Sequence, residues 1–192
     1  MKTFKNLKIT GLLMGVLLMT QTASASLLVE PHIAYNLSAS GDGTPTVLKY
    51  DYSYNGVQYG ARLGYQQLGF MTGLDYTRSS FDLKEETGGV SIKNSVDRNE
   101  WGIFVGYDFP ILVRAWGTYY FSNKTEKPNG DIFSGNTKEL GVGFTGLPFL
   151  SINVMYRMVT FEEYKSGSTT TNYKKDININ EFVLGVSLPL NL

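Results

Sequence analysis

Residues 100–109 read Glu100-Trp101-Gly102-Ile103-Phe104-Val105-Gly106-Tyr107-Asp108-Phe109. Taken alternately, they separate into two sets. Trp101, Ile103, Val105, Tyr107 and Phe109 are large and apolar, whereas Glu100, Gly102, Phe104, Gly106 and Asp108 mix carboxylates with glycine. Successive side chains of an extended chain point to opposite faces, so each set is one face of a β-strand. A strand with one continuous apolar face must lay it against a second sheet or against lipid.

The same alternation recurs on both sides of this segment. Val57, Tyr59, Ala61, Leu63 and Tyr65 stand against Gln58, Gly60, Arg62 and Gly64. Phe70, Thr72, Leu74 and Tyr76 stand against Met71, Gly73 and Asp75. Further on, Val113, Ala115, Gly117, Tyr119 and Phe121 oppose Arg114, Trp116, Thr118 and Tyr120, and Leu140, Val142 and Phe144 oppose Glu139, Gly141 and Gly143. Leu150, Ile152, Val154, Tyr156 and Met158 oppose Ser151, Asn153, Met155 and Arg157, and Phe182, Leu184, Val186, Leu188 and Leu190 oppose Glu181, Val183, Gly185 and Ser187. A weaker first strand sets Val29, Ile33, Tyr35 and Leu37 against Glu30, His32, Ala34 and Asn36. These make eight strands.

Short turns are expected at Gln66-Gln67, Phe109-Pro110 and Gly146-Leu147-Pro148, and long polar loops at 38–54, 79–99, 122–137 and 161–176. Short turns at one end and long loops at the other are the asymmetry of an outer-membrane barrel. Aromatics end the apolar faces and aliphatics fill their middles. Tyr65, Phe70, Tyr107, Phe109 and Phe144 lie near the short turns; Tyr35, Tyr76, Trp101, Tyr119 and Phe182 lie near the loops; Leu63, Leu74, Ile103, Val142, Ile152 and Leu184 lie between. That layout predicts two aromatic girdles around a hydrocarbon band. In lipid no water satisfies a free backbone N–H, so the sheet must close on itself. The expected fold is an eight-stranded antiparallel up-and-down transmembrane β-barrel with both termini periplasmic. Pro31 and Pro189, which cannot donate to a ladder, are expected at bulges or frayed ends of the closing seam.

Residues 1–25 read as a cleaved secretory signal: Lys2, Lys5 and Lys8, an apolar run from Ile9 to Met19, then Ala23-Ser24-Ala25. The barrel domain is 26–192. Of the chain's 17 basic residues three leave with the signal, so 14 remain against 17 acidic, a balance of −3. That disfavours nucleic acid as a partner. The chain has no cysteine, which removes disulfides, thiolate nucleophiles and cysteine–metal sites. No run after residue 26 is long and apolar enough for a membrane-spanning helix.

The four-hairpin plan, the turn segment Gly106-Tyr107-Asp108-Phe109-Pro110 and the C-terminal alternation resemble small eight-stranded outer-membrane barrels, the OmpA-type and OmpX-type domains and their OmpW-like relatives. The resemblance covers nearly all of residues 27–192. It implies a Gram-negative outer membrane, contact with outer-membrane lipid and lipopolysaccharide, and delivery by the barrel assembly machinery. The final residue of the assembly signal is usually aromatic and here is Leu192. The resemblance implies architecture more than activity, because such barrels serve as anchors, adhesins, narrow pores or enzymes.

On the inward face, Glu30, His32, Arg62, Asp108, Arg114, Glu139, Arg157 and Glu181 form the expected lumen ion network. Counting from the short turns places Glu139, Arg157 and Glu181 high, and Glu30, His32 and Arg62 lower, with Asp108 and Arg114 also low. Buried charges must be paired, so one reading is a plugged polar lumen with a structural or surface-contact role through the four loops. The alternative is a narrow channel for small or apolar solutes. A third reading is a lipid-modifying enzyme centred on His32, the only histidine, with Glu30 beside it and Ser187 as the nearest serine. No catalysis and no cofactor are expected: one histidine makes a His-based metal site poor, and Gly141-Val-Gly143-Phe-Thr-Gly146 lies within a strand and its turn, without the helix a dinucleotide fingerprint needs. Loop charges such as Lys84, Lys93, Arg98, Lys124, Lys127, Lys165, Lys174 and Lys175 read as solvated surface, with basic residues available to lipopolysaccharide phosphates.

Overall fold

The computed structural model describes residues 25–43 and 50–192, so the expected signal segment lies, but for Ala25, outside the described residues. The strands are β1 (Ser26–Gly43), β2 (Tyr50–Gln67), β3 (Phe70–Thr87), β4 (Val90–Phe109), β5 (Val113–Glu126), β6 (Ile132–Leu147), β7 (Leu150–Ser166), β8 (Thr169–Ser187) and β9 (Leu190–Asn191). Each pairs antiparallel with its sequence neighbour from β1 to β8, and β1 also pairs with β8, which closes the ring. The short β9 continues β8 along the same edge of β1, with His32 opposite Ser187 and Val29 opposite Leu190. The barrel therefore has eight staves.

The two prolines differ from each other. Pro189 falls in the break between β8 and β9. Pro31 is in regular register opposite Ala61, and its carbonyl accepts the Leu188 N–H at 3.0 Å. The bulge of β1 lies higher, between Asn36 and Ala39. An acceptor-only residue is tolerated at the seam because the ladder there asks Pro31 for its carbonyl.

Over the lower part of each strand the apolar sets of the sequence face outward and are exposed, and the glycine-and-charge sets are enclosed. Exposed Leu63, Leu74, Ile103, Val142, Val154 and Leu184 form a continuous outer band. Such a surface on a closed sheet has only lipid to lie against.

The turns at this lower end sit slightly later than expected. They are Leu68–Gly69, Pro110–Leu112 and Pro148–Phe149. The larger difference is at the upper end, where the four long loops are mostly strand. Gly88–Gly89 and Gly167–Ser168 are two-residue turns, and Lys127–Asp131 is a five-residue one. The cause is a change of solvent along the strands. On β3, Tyr76 and Leu74 face out while Asp75 and Thr77 face in; higher up, Phe81 and Leu83 face in while Ser80, Asp82 and Lys84 face out. The strand leaves lipid for water, so the alternation inverts and the stretch reads as polar loop. Bulges in β1, β5 and β7 shift the alternation by one residue as well.

Candidate functional site

The enclosed side chains stack in layers. Arg157 on β7 is fully buried at the centre. Its guanidinium contacts Glu100, lies 2.9 Å from Glu181 and 3.3 Å from Glu139, and donates to Gln58 Oε1 at 2.9 Å. Above it, Arg98 meets Glu181 at 2.6 Å and Glu100 at 3.3 Å, and the Tyr54 hydroxyl joins Arg98 to Glu181. Below it, Arg62 meets Asp75 at 2.8 Å, Glu139 at 3.2 Å and Glu30 at 3.7 Å. Lowest, Arg114 meets Glu30 at 2.9 Å and Asp108 at 3.2 Å. Four buried guanidiniums thus interleave with five buried carboxylates, and Asp108 stands at the rim.

Neutral donors occupy remaining carboxylate lone pairs. Trp116 Nε1 donates to Glu139 at 2.9 Å, Thr137 and Asn123 donate to Glu100 at 2.6 and 3.0 Å, and Ser187 donates to Glu30 at 2.6 Å. The Arg62 guanidinium lies over the Trp116 ring, 4.4 Å from its centroid. This density of partners is what charges in a low-dielectric interior require.

The inward glycines make room for these groups. A Cβ on Gly141 would sit 2.2 Å from the Trp116 ring. The indole is held by its bond to Glu139 and cannot easily retreat. Gly141→Ala is therefore expected to destabilise the barrel by about 1–3 kcal/mol, measured as a lowered urea midpoint of protein refolded in liposomes.

All eight residues assigned to the network from sequence are inward, but His32 makes no ion pair. Its Nε2 lies 3.3 Å from Thr77 Oγ1, and Nδ1 has no hydrogen-bond partner. Ser187 bonds Glu30 and Asn153 and not His32. The serine–histidine arrangement that the enzyme reading needed is therefore not assembled. Among the described residues no cluster of histidine and carboxylate groups could hold a metal ion. The heights also differ from a residue count. Arg62 reaches Glu139, which counting placed well above it, because barrel stagger slides neighbouring strands past each other.

Three members of the network were missed. Asp75 and Glu100 were on the inward face but left out of the network, and Arg98 was assigned to a surface loop. Continuing the β4 alternation upward from Glu100 puts Arg98 and Val96 inside, where both are buried. The ten girdle residues lie on the outer face, with Tyr76 and Tyr107 half-buried. Tyr76 packs on Trp101, and Tyr107 packs on both Phe70 and Phe109.

Above the charges the interior becomes apolar. Tyr52, Tyr54, Phe81, Leu83, Val96, Phe133, Val159, Phe161, Ile177 and Ile179 pack in one cluster. The cavity left among them is about 20 Å³, room for roughly one water. Lys127, from the turn between β5 and β6, reaches Glu85 on β3 at 2.9 Å and closes over this core. Nearby, the Tyr164 hydroxyl donates to Asp131 and holds that carboxyl below its usual range.

This architecture is the fold of small outer-membrane β-barrels. The chain is similar to Neisserial surface protein A (TM-score 0.51, 15% identity, covering 87% of this chain and 99% of that one). It is equally similar to Ail, the attachment invasion locus protein of Yersinia pestis (TM-score 0.52, 13% identity, 86% and 99% covered). OprG from Pseudomonas aeruginosa also aligns, with a TM-score of 0.45 and 11% identity over 88% of this chain and 98% of that one. No protein-family profile matches the sequence, and no curated protein matches it.

Proposed function

We propose that the chain is a plugged integral protein of the bacterial outer membrane that acts by surface contact, its lower end periplasmic and its upper end outside the cell. The observation that carries this reading is the filled interior: a paired ion network spans the lumen and an apolar core caps it. The channel reading needs a continuous path, and Arg157, Arg62 and the cluster around Phe161 stand across it. Action is then left to the outer surface.

The surface that supports contact is the protruding strand ends, in place of the long loops expected at 79–99, 122–137 and 161–176, while residues 44–49 of the loop expected at 38–54 lie outside the described residues. A 20-residue strand such as β4 rises about 50 Å at about 3.3 Å per residue and a tilt near 40°, twice the roughly 25 Å apolar band. Among the described residues, β4 pairs with β5 only from Asp97 upward in number, so Val90–Val96 pair with β3 alone. That leaves a free strand edge carrying exposed Val90 and Ile92. A free edge can accept an extended segment of another protein by backbone pairing. Outward Arg78 and Lys138, just above the girdle, are suited to lipopolysaccharide phosphates. The alternating C-terminal strand is suited to the barrel assembly machinery.

The test is conductance of refolded wild-type protein in planar bilayers. No steady openings are expected; regular, long-lived ones would overturn the plugged reading. For the contact role, Val90→Lys with Ile92→Lys should lower adhesion of cells displaying the protein without altering its folding. Unchanged adhesion would remove the β4 edge as the contact site.

A further inference from the structure

The left-handed positions in the turns at the two ends of the barrel carry opposite chemistry. At the upper end the left-handed turn positions are glycines: Gly88 at φ 54°, Gly89 at 82°, Gly130 at 83° and Gly167 at 58°. At the lower end, Leu68 at φ 51°, Leu112 at 62° and Phe149 at 59° take that conformation. The Leu68–Gly69 pair, 51° and 85°, matches the φ values of Gly88–Gly89, so only the residue differs. A large side chain in this region crowds the following carbonyl, which is why glycine or asparagine is the ordinary choice.

Among the described residues, nothing covers these side chains. Ile111 is 73% exposed and Phe149 79%, and Leu68 and Leu112 are exposed as well. Gln66–Phe70, Phe109–Val113 and Gly146–Leu150 contain no charged residue. Among the described residues, no charged side chain faces outward between these turns and Arg78 on β3 or Lys138 on β6. The lower turns are thus continuous with the lipid-facing band. On β6 that band is short, with Leu140, Val142, Phe144 and Leu147 exposed above the turn, and Phe149 in the turn extends it.

We infer that the three lower turns are sunk in the inner leaflet of the membrane, with Leu68, Ile111, Leu112 and Phe149 anchoring the barrel in acyl chains. The inference rests on the membrane-spanning reading above and adds to it where the lower boundary lies. Transfer of a leucine or phenylalanine side chain from water to hydrocarbon outweighs the backbone strain of the turn. In water the same strain would bring nothing in return, and glycine would serve, as it does at the other end.

The absence of native cysteine makes the test direct. Leu112→Cys and Phe149→Cys are spin-labelled one at a time and refolded into phosphatidylethanolamine–phosphatidylglycerol vesicles. Ile103→Cys reports the middle of the outer band, and Ser168→Cys reports the upper turn. Collision with oxygen and with a water-soluble nickel chelate is compared at each site. The expected result is that the labels at 112 and 149 favour oxygen, as at 103, while 168 favours nickel. If 112 and 149 favour nickel while 103 favours oxygen, the turns stand in water, free for a periplasmic protein, and the inference fails while the spanning reading survives. If 103 also favours nickel, both fail. A second measurement needs no label. Phe149→Gly relieves strain, so a rise in bilayer stability would overturn the anchor and a fall is expected.

Discussion

Arg157→Ala is expected to destabilise the barrel more than any other single truncation of the network. The side chain is fully buried and touches Glu100, Glu139 and Glu181 together. Removing it strands three carboxylates that share the guanidinium, though Arg98 still meets two of them and Arg62 the third. Breaking a buried pair by deleting one partner costs about 3–5 kcal/mol. The measurement is urea unfolding in liposomes, with the variant expected to melt at clearly lower denaturant. The same deletion opens a gap in the central one of the charged layers that cross the lumen. If the barrel holds together, brief ion conductance should appear where the wild type has none. A variant as stable and as silent as wild type would mean that the network neither holds the barrel nor blocks it.

Ile103→Arg is the second large effect, and it acts on the opposite face. Ile103 lies one residue from buried Phe104 and points outward in the middle of the apolar band. An arginine near the midplane of a barrel's lipid face costs about 2–4 kcal/mol, falling toward zero at the interfaces. On a protein surrounded by water, the same exposed position would take arginine with almost no change. The expected outcome is a reduced folded fraction in bilayers, together with little effect from Ser80→Arg, which faces outward on the upper, water-exposed part of β3. Equal tolerance at both positions would mean that the outer band does not meet lipid.

Most of the lower barrel was legible because there the two faces differ sharply. Leu63 and Leu74 alternate with Arg62 and Asp75, and no reading but a strand accommodates that pattern. The upper barrel was not legible for two physical reasons. First, the apolar residues change sides at the membrane boundary. Phe81 and Leu83 fall on the set that holds Asp75 lower down, so a search for one continuous greasy face stops at Tyr76. Second, the bulge at Asn36–Ala39 and the irregularity at Tyr120–Asn123 shift the period by one residue, which mimics a loop. The network's membership followed from parity, but its pairing did not. Arg62 and Glu139 are on strands two and six, and only the closed and staggered ring brings them within 3.2 Å. Arg98 was lost with the upper part of β4, although continuing its alternation by one more step would have recovered it.

The inversion of alternation along β3 makes each staff of the barrel two materials joined end to end: a hull turned outward to oil below, and a conventional watertight core above. The joint is set by side chains and not by the ladder, which runs through it unbroken. Height above the membrane is therefore adjustable in steps of two residues per arm, about 7 Å along the strand for each step, provided both arms of a hairpin change together and the in-and-out order is kept. A tower of this kind can be raised or cut down without disturbing its foundations.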